Sequence, residues 1–104
     1  RVQFGKMRTH AYAARSVVYR TARLVDHGDN AVNEVMASKT LATEALSSLV
    51  DLAIQIIGGE SLADSHPLAS VFRRARATRL AEGSTEVLHG NIARGYLDLH
   101  LGRI

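Results

Sequence analysis

A chain of 104 residues, 46% hydrophobic and 22% charged with one proline, has the make-up of a single folded domain and excludes disordered and fibrous classes. It holds no cysteine, so disulfide frameworks and thiolate metal sites are excluded; a net charge of +3 and a pI near 9.8 allow an anionic partner without marking a nucleic-acid binder. The stretch Arg1–Lys6 has no apolar signal core and no run approaches the roughly 20 apolar residues of a membrane span, so the expectation is a cytoplasmic or organellar-matrix protein with no span.

Alanine, leucine and arginine dominate and β-branched residues form no alternating runs, which predicts an all-α fold. From Met7, the positions His10/Ala11, Ala14, Val17/Val18, Thr21 and Leu24/Val25 recur at helical spacing and predict a first helix, stopped at Gly28. Asp29 or Asn30 is the expected cap of a second helix from about Asn30 to Ile57. Its apolar stripe runs Val32, Val35/Met36, Ala42/Thr43, Leu46, Leu49/Val50, Ala53 and Ile57, interrupted only by Lys39. At about 1.5 Å per residue such a helix reaches roughly 40 Å, a length typical of bundles.

Gly58-Gly59 ends that helix, and Glu60 to His66 reads as a polar loop. Pro67, preceded by Ser65 or His66, opens a short helix with Leu68, Val71/Phe72 and Ala75 on one side and Arg73, Arg74 and Arg76 on the other. The pattern loosens between Thr78 and Glu82. Gly83, Ser84 and Thr85 are candidate caps for a last helix with apolar face Leu88, Ile92, Tyr96 and Leu99. The five histidines, His10, His27, His66, His89 and His100, include no pair at ligand spacing, so no metal site is expected.

Three strings carry more than periodicity: Gln55-Ile56-Ile57-Gly58-Gly59; His66-Pro67-Leu68 running on to Arg73-Arg74-Ala75-Arg76; and Glu82-Gly83-Ser84-Thr85-Glu86-Val87 followed by Ile92-Ala93-Arg94. In this order and spacing they resemble the C-terminal domain of acyl-CoA dehydrogenases, over Met7 to Leu97. The resemblance implies an antiparallel, up-and-down four-helix bundle forming the last third of a larger flavoprotein. It further implies FAD as cofactor, an acyl-CoA substrate, a homodimer or homotetramer, and an electron-transfer flavoprotein as acceptor.

Residue by residue, the resemblance implies that Glu82 is the carboxylate that takes the α-proton of the thioester. Gly83 would lie along the substrate and Arg94 on the substrate side. Ser84, Thr85 and Glu86 would contact the adenine end of FAD, although the family's Thr-Ser order is swapped, with hydroxyls still expected at both places. Gln55, Gly58 and Gly59 would bind the diphosphate–adenosine part of FAD from a partner subunit. Arg1 and Phe4, in Arg1-Val2-Gln3-Phe4-Gly5, resemble a family string that touches a neighbour's flavin pyrophosphate. That string stands several helical turns too close to the family match that begins at Met7, which suggests a missing segment between about residues 5 and 7.

Without the resemblance each residue has a plainer reading. Glu82 is then a surface acid near a helix N-terminus and Gly58 a helix stop. Arg94 is a surface cation, and the arginines 73, 74, 76 and 79 are a solvated face. Arg74 stands where the family commonly has an acid, and Ala81 replaces a common aromatic beside the base. The alternative function is a stand-alone bundle that mediates oligomerisation or partner binding without catalysis.

Overall fold

The computed structural model describes residues 1–102, which fold into four α-helices with no strand among them. They are α1 (Val2–Asp26), α2 (Val32–Ile57), α3 (Pro67–Thr78) and α4 (Thr85–Leu97), with a single 3-10 turn at Gly59–Leu62. The all-α, four-helix reading of the sequence is what the structure shows.

α1 begins five residues before the expected Met7 and runs unbroken through Gly5, whose N–H donates to the Arg1 carbonyl at 3.0 Å. One interior glycine costs about 1 kcal/mol, which extension of an existing helix absorbs. At its end Gly28 takes φ 78; Gly28 N–H bonds the Val25 carbonyl and Asp29 N–H the Leu24 carbonyl, closing the two orphan groups a left-handed cap can reach. The N-cap of α2 is the buried Ala31, with no side-chain cap bond, so neither Asp29 nor Asn30 caps it as expected.

The loop expected after Gly58 starts instead as the 3-10 turn. Ser61 anchors it: the side chain is fully buried, and both its N–H and its hydroxyl donate to the Gly58 carbonyl, at 3.0 and 2.6 Å. Of the two candidates, His66 caps α3, its Nδ1 accepting from Leu68 N–H at 3.1 Å ahead of Pro67 at the first helical position. Ser84 caps α4, its hydroxyl accepting from Val87 N–H at 3.4 Å.

α2 is the axis of the fold. α1, α3 and α4 each pack on it, and no Cα pair within 8 Å links any two of those three among the described residues. α1 runs antiparallel to α2: Thr21 donates to the Glu34 carbonyl (3.5 Å), while His10 and Ala14 share a cleft with Leu41 and Ala45. α3 and α4 also run antiparallel to it, in succession. Phe72, Ala75 and Arg79 lie along Asp51, Ser48 and Glu44, and α4 continues from Thr85 beside Glu44 to Gly95 beside Asn33.

By length and composition α2 could cross a membrane, with mean hydropathy 1.4 over its best window. Its buried positions are Asn33, Glu34, Ser38, Thr40 and Val50, mostly polar and set against other helices. Glu34 is 2% exposed, and neither carboxylate oxygen has a hydrogen-bond partner among the described residues.

Among the described residues buried apolar side chains are few: Ala31, Val50, Ala69, Ala75 and Leu88. Large ones such as Phe4, Val18, Val35, Leu41, Ile56 and Phe72 are exposed, a poor balance for a domain that stands alone. α4 comes close to α2 at Gly95, where an added Cβ would clash with the Asn33 amide, itself 3% exposed and donating to the Leu101 carbonyl at 3.0 Å. Gly95→Ala gains up to about 1 kcal/mol of helix propensity but displaces a buried, bonded amide at about 1–3 kcal/mol. The expected outcome is a net loss of about 1 kcal/mol, read as a lower thermal midpoint by circular dichroism; a raised midpoint would show that Asn33 moves aside freely.

Candidate functional site

The turn between α3 and α4 gathers the residues that the sequence marks most strongly. After Thr78 the chain passes through Arg79, Leu80 and Ala81 to Glu82 and Gly83, which take φ 55 and φ 94 in succession. A non-glycine residue in that region costs of order 1 kcal/mol and persists where neighbours dictate it. Gly83 is favoured here by its left-handed conformation, and a Cβ would sit tightly against Leu88 Cδ2 at 3.0 Å. Glu82 itself is exposed on the outside of this turn.

Three hydrogen bonds tie the turn to α2. Lys39 Nζ donates to the Gly83 carbonyl at 2.7 Å. Glu44 Oε1 accepts from Arg79 Nε at 2.8 Å and from the Thr85 hydroxyl at 2.9 Å, gripping the turn at both ends. A backbone bond from Thr85 N–H to the Arg79 carbonyl (3.3 Å) closes it. The Arg79–Glu44 pair is about a third exposed on each side and couples charge to geometry; the Arg73–Asp64 pair at 3.1 Å is largely in solvent and adds little.

At the start of α4 the candidates divide. Glu86 is exposed and Ser84 half-buried with its hydroxyl capping α4; Glu86 is held below the ordinary carboxylate range, first by its own backbone N–H and then by the Ser84 hydroxyl, so it stays charged. Thr85 departs from the expectation of an available hydroxyl: it is buried and its O–H is committed to Glu44. Arg94 is exposed about 14 Å further along α4, at 1.5 Å per residue, so the structure does not bring it to the Glu82 turn.

The other candidates sit elsewhere. Gln55 and Gly59 are exposed at the C-terminal end of α2, about 24 Å along the axis from the level of Lys39. Gly58 takes φ 101, and a Cβ on Gly58 or Gly59 would meet nothing within 4 Å, leaving this backbone open to close approach. The antiparallel register of α1 carries Arg1 and Phe4, both exposed, toward the same end. Two clusters result, one around Glu82 and one at the end of α2.

A family model for the acyl-CoA dehydrogenase C-terminal domain matches residues 1–97. The chain belongs to the acyl-CoA dehydrogenase family. Among curated proteins it is similar to cyclohexane-1-carbonyl-CoA dehydrogenase of Geobacter metallireducens, 33% identical over 89 residues, covering 86% of this chain and 23% of that protein. It is equally similar, 33% over 88 residues, to the mitochondrial short-chain specific acyl-CoA dehydrogenase of Homo sapiens, covering 81% of this chain and 21% of that protein. Acryloyl-CoA reductase (NADH) of Anaerotignum propionicum is 33% identical over 108 residues, covering 90% of this chain and 27% of that protein. The chain thus spans about a quarter of the length of such relatives.

Within this acyl-CoA dehydrogenase domain, sequence reasoning passed over Lys39 and Glu44, the residues on α2 that hold the turn. A signal for Lys39 was present, as the one charge interrupting the apolar stripe of the second helix. Glu44 had none, because an acid in a helix is ordinarily a solvated one. Of the arginine run, Arg73, Arg74 and Arg76 are exposed as the plain reading expects, whereas Arg79 turns inward to Glu44.

Proposed function

We propose that this chain is the C-terminal part of an FAD-dependent acyl-CoA dehydrogenase, in which Glu82 removes the α-proton of an acyl-CoA thioester. The observation that carries this reading is the Glu82 carboxylate, presented outward on a left-handed backbone whose flanks are hydrogen-bonded to α2. A base needs this kind of fixed presentation, since proton transfer depends first on geometry and then on acidity. Gly83 leaves the neighbouring backbone bare for a thioester to lie against, and Leu88 packs closely beneath it.

FAD, when bound, supplies the acceptor for the hydride leaving the β-carbon. The residues present fit it: the open backbone at Gly58-Gly59 with exposed Gln55 suits a diphosphate–adenosine group, as do exposed Arg1 and Phe4 at that end. Exposed Glu86 and half-buried Ser84 are the candidates beside the base, with Arg94 a more distant substrate-side cation. Because the two clusters lie far apart on one chain, the arrangement suits a homodimer or homotetramer in which the α2 end of one copy serves the flavin of another. The exposed apolar side chains agree with burial against further parts of such an assembly. Reoxidation by an electron-transfer flavoprotein, a cytoplasmic or matrix setting, and a missing segment between about residues 5 and 7 belong to the same proposal.

The test is intact mass together with the visible spectrum of the purified full-length protein. A subunit several times larger than this 11.3 kDa chain, with a flavin band that bleaches on adding acyl-CoA, is the expected result. A colourless species of this mass would overturn the catalytic reading and leave a helical module for assembly.

A further inference from the structure

α2 is an apolar helix by composition, yet two of its charged side chains spend their hydrogen bonds on one short turn 35 to 44 residues away in sequence. Lys39 is half-buried and fixes the carbonyl of Gly83, in the peptide between Gly83 and Ser84, one residue beyond Glu82. Glu44 fixes the residues three before and three after Glu82, namely Arg79 and Thr85. The two anchors are five residues apart, about 7.5 Å along the axis and on different sides of the helix, so they restrain the turn from two directions. The paired left-handed residues Glu82 and Gly83 are the part of the turn that needs such restraint.

We propose that Lys39 and Glu44 are positioning residues, which hold the turn from α2 so that the Glu82 carboxylate keeps its aim at the substrate. This rests on the reading of Glu82 as the base, and the experiment separates the two. Lys39 acts through the Gly83 carbonyl and does not touch the reacting atoms. Its loss lets the peptide between Gly83 and Ser84 rotate and loosens the left-handed pair at Glu82 and Gly83, while the α2 end cluster, about 24 Å away, is unaffected.

In the full-length flavoprotein, Lys39→Met, Lys39→Arg and Glu82→Gln are compared in three measurements. These are single-turnover bleaching by acyl-CoA, the isotope effect with α-deuterated acyl-CoA, and hydrogen exchange of the peptide spanning residues 79–85. Lys39→Met is expected to slow bleaching by roughly 10–100-fold, the loss that displacement by about 1 Å brings. With it the isotope effect rises and exchange of the 79–85 peptide quickens, while flavin content and half-saturation by acyl-CoA hold. Lys39→Arg, which keeps a donor, recovers most of the rate.

Parent-like bleaching and exchange in Lys39→Met would overturn the proposal, as would loss of flavin in both Lys39 variants, which marks a merely structural lysine. Should Lys39→Met not accumulate in folded form, Glu44→Gln decides: slower bleaching with faster exchange of the same peptide supports the proposal, and no change in either overturns it. If Glu82→Gln bleaches at the parent rate, the base assignment fails and this proposal with it. If Glu82→Gln is inactive and Lys39→Met is not slowed, positioning alone fails.

Discussion

Glu82→Gln is expected to lower steady-state turnover with acyl-CoA by roughly 10²–10⁴-fold, the range that a positioned general base contributes. The substitution keeps the size of the side chain and removes only its capacity to take a proton. Among the described residues nothing that holds the turn depends on the carboxylate: Lys39 binds the Gly83 carbonyl, Glu44 binds Arg79 and Thr85, and Thr85 N–H bonds the Arg79 carbonyl. Flavin content, half-saturation by substrate and the thermal midpoint should therefore stay near those of the parent. A variant that retains turnover within a few-fold would remove Glu82 from the mechanism and return it to a surface acid beside a helix N-terminus.

Leu88→Ala is expected to cost about 2–4 kcal/mol, as removal of a buried leucine does when its surroundings close only partly. Leu88 is 8% exposed in the first turns of α4, and its Cδ2 would lie 3.0 Å from a Cβ at Gly83, so it is the floor on which the turn rests. Its loss opens a void beneath Gly83. The thermal midpoint should fall, and turnover should fall with it, because the paired left-handed residues at 82 and 83 lose a contact that dictates them. A lower midpoint with unchanged turnover would mean that α2 alone sets the turn.

Much of this fold was legible in the chain because helical periodicity is a local property. The long stripe of α2, the stops at Gly28 and Gly58 and the Pro67 start arise from spacing, backbone freedom and ring geometry, and each lies where the structure has it. The boundaries that moved did so for reasons beyond local pattern. The cap of α2 fell on Ala31 rather than Asp29 or Asn30, and Ser61, fully buried and bonded to the Gly58 carbonyl, holds a 3-10 turn where a loop was expected.

The candidate site divides in the same way. Glu82 and Gly83 were marked by a contiguous string, and their adjacency needs no folding to be true. What holds them was not: Lys39 read as an interruption of an apolar stripe, Glu44 as an ordinary helix acid, and Thr85 as an available hydroxyl. Only the antiparallel passage of α3 and α4 along α2 brings residues 39 and 44 beside residues 79 to 85 and turns the Thr85 hydroxyl inward. By itself, then, the sequence determined the four helices, their stops and the family string around Glu82, since all of these depend on neighbours in the chain. The tertiary structure decided which charges serve that turn and which face solvent, because hydrogen bonds across 35 to 44 residues exist only after packing has set the register.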